Sequence, residues 1–366
     1  ASGDGTPQTV QVIDGASNTG TVVWNFNAGT DAFDYLAVTE SLLLTYTVHL
    51  TDDNGATTSR DIDITITGVN DGPLASPAGG PDTPAGTGST TDVVSATKAE
   101  TELALTAAGQ FAVLDVDTTD IVTVTDVTVV SAGKDSDAQN AHLTNGQLDA
   151  LLSIDASGDG TPQTVQVIDG ASNTGTVVWN FNAGTDAFDY LAVTESLLLT
   201  YTVHLTDDNG ATTSRDIDIT ITGVNDGPLA SPAGGPDTPA GTGSTTDVVS
   251  ATKAETELAL TAAGQFAVLD VDTTDIVTVT DVTVVSAGKD SDAQNAHLTN
   301  GQLDALLSID ASGDGTPQTV QVIDGASNTG TVVWNFNAGT DAFDYLAVTE
   351  SLLLTYTVHR LSLIHI

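Results

Sequence analysis

The sequence repeats itself. The run ASGDGTPQTV begins at Ala1, Ala156 and Ala311, an offset of 155 residues each time. Residues 1–155 and 156–310 are identical, and 311–359 repeats 1–49. The chain therefore poses one folding problem of 155 residues, stated more than once. A period of that length can bury its own core, unlike the short units of a solenoid, which depend on their neighbours.

Within the period, the stretch 42–73 carries the strongest local signal, and it recurs at 197–228. Leu42, Leu44, Tyr46, Val48 and Leu50 share one parity, as do Ile62, Ile64 and Ile66. Thr45, Thr47, His49, Asp61, Asp63, Thr65 and Thr67 take the other. Alternation with period 2 predicts two half-buried strands. Asp52-Asp53-Asn54-Gly55 lies between them and predicts a turn, since Asn and Gly tolerate positive φ. Gly68-Val69-Asn70-Asp71-Gly72-Pro73 then stops the second strand and carries carboxylate and amide oxygens to the end of a domain.

The rest of the period is expected to complete a sandwich around this hairpin. Residues 20–27 (GTVVWNFN) predict a strand with Val22, Trp24 and Phe26 on one face, and Trp24, Phe26 and Tyr46 are candidate core. DAFDYLAVTES predicts a short helical turn. Residues 73–97, rich in Pro, Gly, Ser and Thr, read as a linker or a long surface loop. Residues 100–120 supply a strand and an acidic corner. Residues 121–131 (IVTVTDVTVVS) are a β-branched strand with apolar residues on both parities, which predicts cover on both faces. Residues 143–154 (LTNGQLDALLSI) are the helix candidate. Thr144 caps it, Gln147 closes a capping box, and Leu148, Leu151 and Leu152 form the stripe. This divides the chain into a partial repeat at 1–71, a complete one at 72–226 and a partial one at 227–359. The tail 360–366 leaves the repeat register and is expected to be a junction artefact.

Acidic residues number 49 against 7 basic, a formal charge of −42. That balance disfavours nucleic acid and anionic membranes as partners, favours divalent cations, and also suits a solvated extracellular surface. There is no Cys, so disulfides and thiolate metal sites are excluded. Met is absent even at position 1, which reads as an excerpt of a longer chain, and no run of ~18 apolar residues predicts membrane insertion. The G-x-S-x-G, H-E-x-x-H, Walker and G-x-G-x-x-G patterns are missing, His49 and His142 have no metal-spaced partners, and no enzyme is expected.

The pattern DVDTTD, a β-branched strand, then LAVTESLLLTYTVHLTDDNGATTSRDIDITITGVNDGP resembles the VCBS repeat, with ITGVNDGP close to that family's ITGTNDAP exit. The resemblance is best at 114–125 and 36–73, and the 73–97 and 134–152 stretches depart from it. It implies tandem immunoglobulin-like or cadherin-like β-sandwiches, all-β, here with an extra short helix in each. It also implies a secreted or cell-surface bacterial protein of the RTX adhesin kind, serving adhesion or biofilm formation. Such a parent would meet a host or matrix surface through other domains.

The resemblance further implies calcium at the joints between neighbouring repeats. Ca²⁺ takes six to eight oxygens from carboxylates, amides and carbonyls. Asn225 and Asp226 leave one repeat, and Asp270, Asp272 and Asp275 open the next. A D-x-D can aim two carboxylates one way. Glu195 and the Asp207 turn are expected to complete that shell from the preceding repeat. Asn70, Asp71, Asp115, Asp117 and Asp120 are the equivalent set one joint earlier. Two alternatives stay open: a site within one domain, and acidic turns that merely keep sheet edges soluble. The expected function is a stalk or spacer. The alternative is a repeated module that binds a glycan or a protein, where multivalency would reward repetition.

Overall fold

The structure, a computed structural model, describes residues 10–75, 93–100, 104–134, 142–154, 165–230, 250–254, 259–289, 297–309 and 320–363. The centre of the Pro/Gly-rich stretch (76–92), residues 135–141 and residues 364–366 of the tail lie outside them.

The first stretch contains one regular element, an antiparallel hairpin of β1 (Ser41–Thr51) and β2 (Thr57–Thr67). The middle unit holds β3 (Ser95–Ala99), β4 (Thr106–Leu114), β5 (Ile121–Gly133), α1 (Asn145–Asp149), β6 (Leu152–Ser153), β7 (Val165–Asp169), β8 (Thr174–Asn182), β9 (Ser196–Asp207) and β10 (Thr212–Thr222). They form two sheets, ordered β3-β10-β9-β5-β7 and β4-β8-β6, closed on one core as a β-sandwich. The third unit repeats this with β11 (Thr261–Leu269), β12 (Ile276–Gly288), α2 (Asn300–Asp304), β13 (Leu307–Ser308), β14 (Val320–Asp324), β15 (Thr329–Asn337) and β16 (Leu352–Leu363). Its sheets are β14-β12-β16 and β11-β15-β13.

The alternation foreseen for the hairpin holds residue by residue in the middle unit. Leu197, Leu199, Tyr201, Val203 and Leu205 on β9 and Ile217, Ile219 and Ile221 on β10 are all buried. They meet Trp179, Phe181 and Phe111 from the facing sheet. Each such side chain withdrawn from water contributes about 1.5–3 kcal/mol. Polar tips inside this core are satisfied. Trp179 Nε1–H donates to the Val93 carbonyl at 2.8 Å, and the Tyr201 hydroxyl donates to the Leu148 carbonyl at 2.7 Å. Gly109 lets the indole come that close, because a Cβ there would meet the Trp179 ring at 2.5 Å.

The structure corrects three expectations. β5 is not covered on both faces: Val122 and Val124 are buried, then Val127 and Val129. Its pairing with β9 slips between Val124 and Asp126, and this β-bulge moves the inward parity by one residue. Mixed parity in the sequence was a bulge, not two-sided burial. The helix is shorter than 143–154. The Thr144–Gln147 capping box is present, but α1 stops at Asp149, because Leu152 and Ser153 pair with Phe181 and Asn180 on β8. In the first stretch, residues 20–27 form no strand, and Trp24, Phe26 and Tyr46 are exposed. The Phe33–Ala37 segment is a single turn, closed by Leu36 N–H on the Phe33 carbonyl.

The flanks of the Pro/Gly-rich stretch settle onto one strand. Leu74 exchanges two backbone bonds with Leu114, and Val93 N–H donates to the Gln110 carbonyl, both on or beside β4. The chain thus leaves and rejoins the same sheet edge within four residues of β4.

Candidate cation joints

Asp115 and Asp120 frame the tight corner that links β4 to β5. Asp117 N–H donates to Asp115 Oδ1 at 3.1 Å, and Asp120 N–H donates to the Asp117 carbonyl at 3.2 Å. The D-x-D converges through this local turn rather than through strand alternation. Asp207 reaches the same corner from the β9–β10 turn. Its Oδ1 accepts from Asn209 and Ala211 N–H, which pins the turn, and Oδ2 accepts from Asn70 Nδ2 at 3.0 Å. Asp71 N–H, on the exit from the first hairpin, donates to Asp117 Oδ2 at 2.8 Å. Asn209 Nδ2 donates to Asp120 Oδ2 at 2.9 Å. Asn70, Asp71, Asp115, Asp117, Asp120 and Asp207 therefore meet at the first joint.

The second joint repeats the frame. Asp226 N–H donates to Asp272 Oδ2 at 2.8 Å, and Asp272 N–H donates to Asp270 Oδ1 at 3.2 Å. Glu195 arrives from the middle unit, with Oε1 3.4 Å from Thr274 Oγ1 of the next. Asn225, by contrast, is exposed, and its Nδ2 donates to the Asp226 carbonyl at 3.0 Å.

The grouping of Asp207 with Glu195 is corrected. Glu195 immediately precedes the twelve-residue strand β9, and Asp207 is its last residue. At about 3.3 Å per residue they stand ~40 Å apart, at opposite ends of the unit. Asp207 belongs to the first joint and Glu195 to the second. At the second joint the position matching Asp207 is Ser362, in the divergent tail.

Two further acidic residues at the second joint, Glu100 and Asp189, carry no sequence signal. Glu100 is buried just past β3, where its N–H donates to the Thr222 carbonyl at the end of β10. Its carboxyl is hydrogen-bonded to that of Asp189 and lies beside Asp226. Parallel pairing of β3 with β10 brings it there, and no local pattern marks it.

Electrostatically both joints are under strain. Asp115, Asp117, Asp270 and Asp272 are fully buried. Burial, with neighbouring carboxylates adding to it, pushes Asp115 up to about 7 and Asp272 to about 8. Burial pushes Glu100 to about 7, helped by Asp226 and Asp189, and raises Asp71, Asp117, Asp120 and Asp189. Among the described residues, Asp115 Oδ2, Asp117 Oδ1, Asp272 Oδ1, Glu100 Oε2 and Asn70 Oδ1 are buried without a hydrogen-bond partner. Oxygens bound to one Ca²⁺ at 2.3–2.6 Å lie at most about 5 Å apart. Those of Asp115, Asp120 and Asp207 fall within 4.8 Å of one another, as do those of Asp270, Asp272 and Asp275. The donor sets fit a hard divalent cation.

Elsewhere the chemistry is quiet. His142 is exposed, its ring stacked 3.9 Å from that of Tyr190. No described helix is long and apolar enough to cross a membrane.

No protein-family model matches the chain, and neither does any curated protein. Solved structures match at low scores. Protocadherin gamma B2 extracellular cadherin domains 1–5 are 10% identical with a TM-score of 0.26, covering 88% of this chain and 52% of that one. The protocadherin gammaB7 EC3-6 cis-dimer structure is 12% identical with a TM-score of 0.23, covering 89% and 60%. The C-terminal domain of the Streptococcus agalactiae AgI/II polypeptide BspA is 8% identical with a TM-score of 0.16, covering 75% and 94%. The chain spans 52% and 60% of the two protocadherin structures. Likeness at this level bears on neither the site nor the function.

Proposed function

We propose that the chain is a run of structural repeats from the stalk of a secreted or cell-surface bacterial adhesin, and that calcium stiffens its joints. One observation carries the reading: fully buried carboxylates, with oxygens that meet no hydrogen-bond donor among the described residues, recur where one unit meets the next. An uncompensated buried carboxylate is costly, so such a cluster calls for a cation. Asp115, Asp117, Asp120 and Asp207, with Asn70 and Asp71, hold the first ion. Asp270, Asp272 and Asp275, with Asp226, Glu195, Glu100 and Asp189, hold the second. Calcium supplies positive charge there, and these side chains tie the exit of one unit to the opening corner of the next. The resemblance of ITGVNDGP to the VCBS exit supports the same reading. The glycan-binding alternative finds less support, since Trp179, Phe181 and Tyr201 of the complete unit are core.

Small-angle scattering of the whole chain, with calcium and with chelator, tests the proposal. The expected result is a longer, stiffer particle and a higher melting temperature with calcium. Identical dimensions and melting in the two conditions would sink it.

A further inference from the structure

Of the seven Lys and Arg residues, six fall in three pairs that match from unit to unit, and Lys134 and Lys289 form one of those pairs. Lys134 Nζ lies 2.8 Å from Glu195 Oε1, and Lys289 Nζ lies 2.9 Å from Glu350 Oε1. The placement is built into the backbone. β5 ends on Gly133 at φ 102, where a Cβ would meet the Ser196 carbonyl oxygen at 2.4 Å. Lys134 N–H then donates to that same carbonyl at 2.9 Å, which sets the lysine beside Glu195.

Glu195 itself is split in two. Oε2 accepts from Ala192 N–H at 3.1 Å and belongs to its own turn. Oε1 faces the joint: it holds the Lys134 ammonium and stands 3.4 Å from Thr274 Oγ1, one residue before Asp275. At the first joint Glu40 makes the same bond to Ala37 N–H, and its charge is felt at Asp120.

We propose that the Lys134 ammonium is a built-in competitor for the divalent cation at the second joint, occupying Glu195 Oε1 until calcium displaces it. This rests on the calcium reading above. A calcium bound to Oε1 and an ammonium on the same oxygen would stand within roughly 5 Å of each other. Like charges at that distance repel, so one must leave. The lysine thereby sets a threshold: without calcium Glu195 stays paired within its own unit, and it exchanges one cation for another when calcium rises.

Calorimetric calcium titration of the whole chain tests this with Lys134→Gln and Lys134→Arg, and Asp272→Asn identifies the second-joint binding event by removing it. Lys134→Gln is expected to tighten that event roughly tenfold and leave the first joint unchanged, while Lys134→Arg matches the wild type. In chelator, Lys134→Gln melts at or below the wild-type temperature. A wild type that binds calcium while Lys134→Gln binds no more tightly overturns the competitor and leaves the calcium reading standing. A wild type that takes up no calcium overturns both.

Discussion

Residues 10–71 and 165–226 have the same sequence and different structures. In the middle unit Trp179 is fully buried; its twin Trp24 is 52% exposed. Tyr201 is fully buried and Tyr46 is 49% exposed. β8 exists at 174–182, while 20–27 is irregular. In this sequence residues 10–71 come without a counterpart of 93–154, the part that supplies β3 to β6 and α1 to the middle unit. What survives on both sides is the hairpin, with identical register from Ser41↔Thr67 and Ser196↔Thr222. The third unit, in which no described strand takes the place of β10 beside β16, falls between, with Trp334 and Tyr356 half-buried. Local pairing is thus encoded locally, whereas an aromatic core needs both sheets. The pattern fixes which face turns inward, but not whether anything lies there.

Truncating the two tryptophans should exaggerate this contrast most. Trp179→Ala is expected to cost about 3–5 kcal/mol by urea denaturation of the middle unit, and Trp24→Ala less than about 0.5 kcal/mol. Equal costs would mean the first stretch has a core of its own.

A second effect separates the joints from the hairpins. Asp115, Asp272 and Glu100 titrate higher folded than unfolded, chiefly because they are buried. Their contribution is present below the usual carboxylate range and is lost as pH rises through about 7–8. Without calcium the chain should melt at a lower temperature at pH 8.5 than at pH 5.5. With ~10 mM calcium and sites near ~10⁻⁴ M, each joint gains about 2.7 kcal/mol and the slope flattens. A calcium-free profile that rises across this range would contradict the buried carboxylates.

The smallest effect is the finest probe. Tyr201→Phe removes the donor to the Leu148 carbonyl and should cost about 1–2 kcal/mol. Tyr46→Phe should change stability by less than about 0.5 kcal/mol. Differential melting of the pair reads the comparison at a single hydroxyl.

Much of this was legible beforehand, because it was local. The hairpin, its Asp-Asp-Asn-Gly turn, the Thr144–Gln147 box and the D-x-D corner all lie within a few residues of their partners. The bulge in β5 is written in the step from Val124 to Val127, but sequence alone does not distinguish it from two-sided cover. Asp207 was set at the wrong joint because a hairpin reverses direction, so residues on either side of one strand end up far apart. Glu100 was missed because a parallel strand pair, distant in sequence, carries it to the exit of β10.

The return of Leu74 and Val93 to one edge of β4 has a practical consequence. The bonds that seat the opening strand depend on where those two residues dock, not on what runs between them. Leu74 and Val93 stand 19 residues apart in sequence, and loop closure would penalise extra chain between them only slowly. The docking point at Leu74 lies three residues past Asp71 and bonds to Leu114, the residue before Asp115, so the seating of this edge and the acidic corner share one short stretch of backbone.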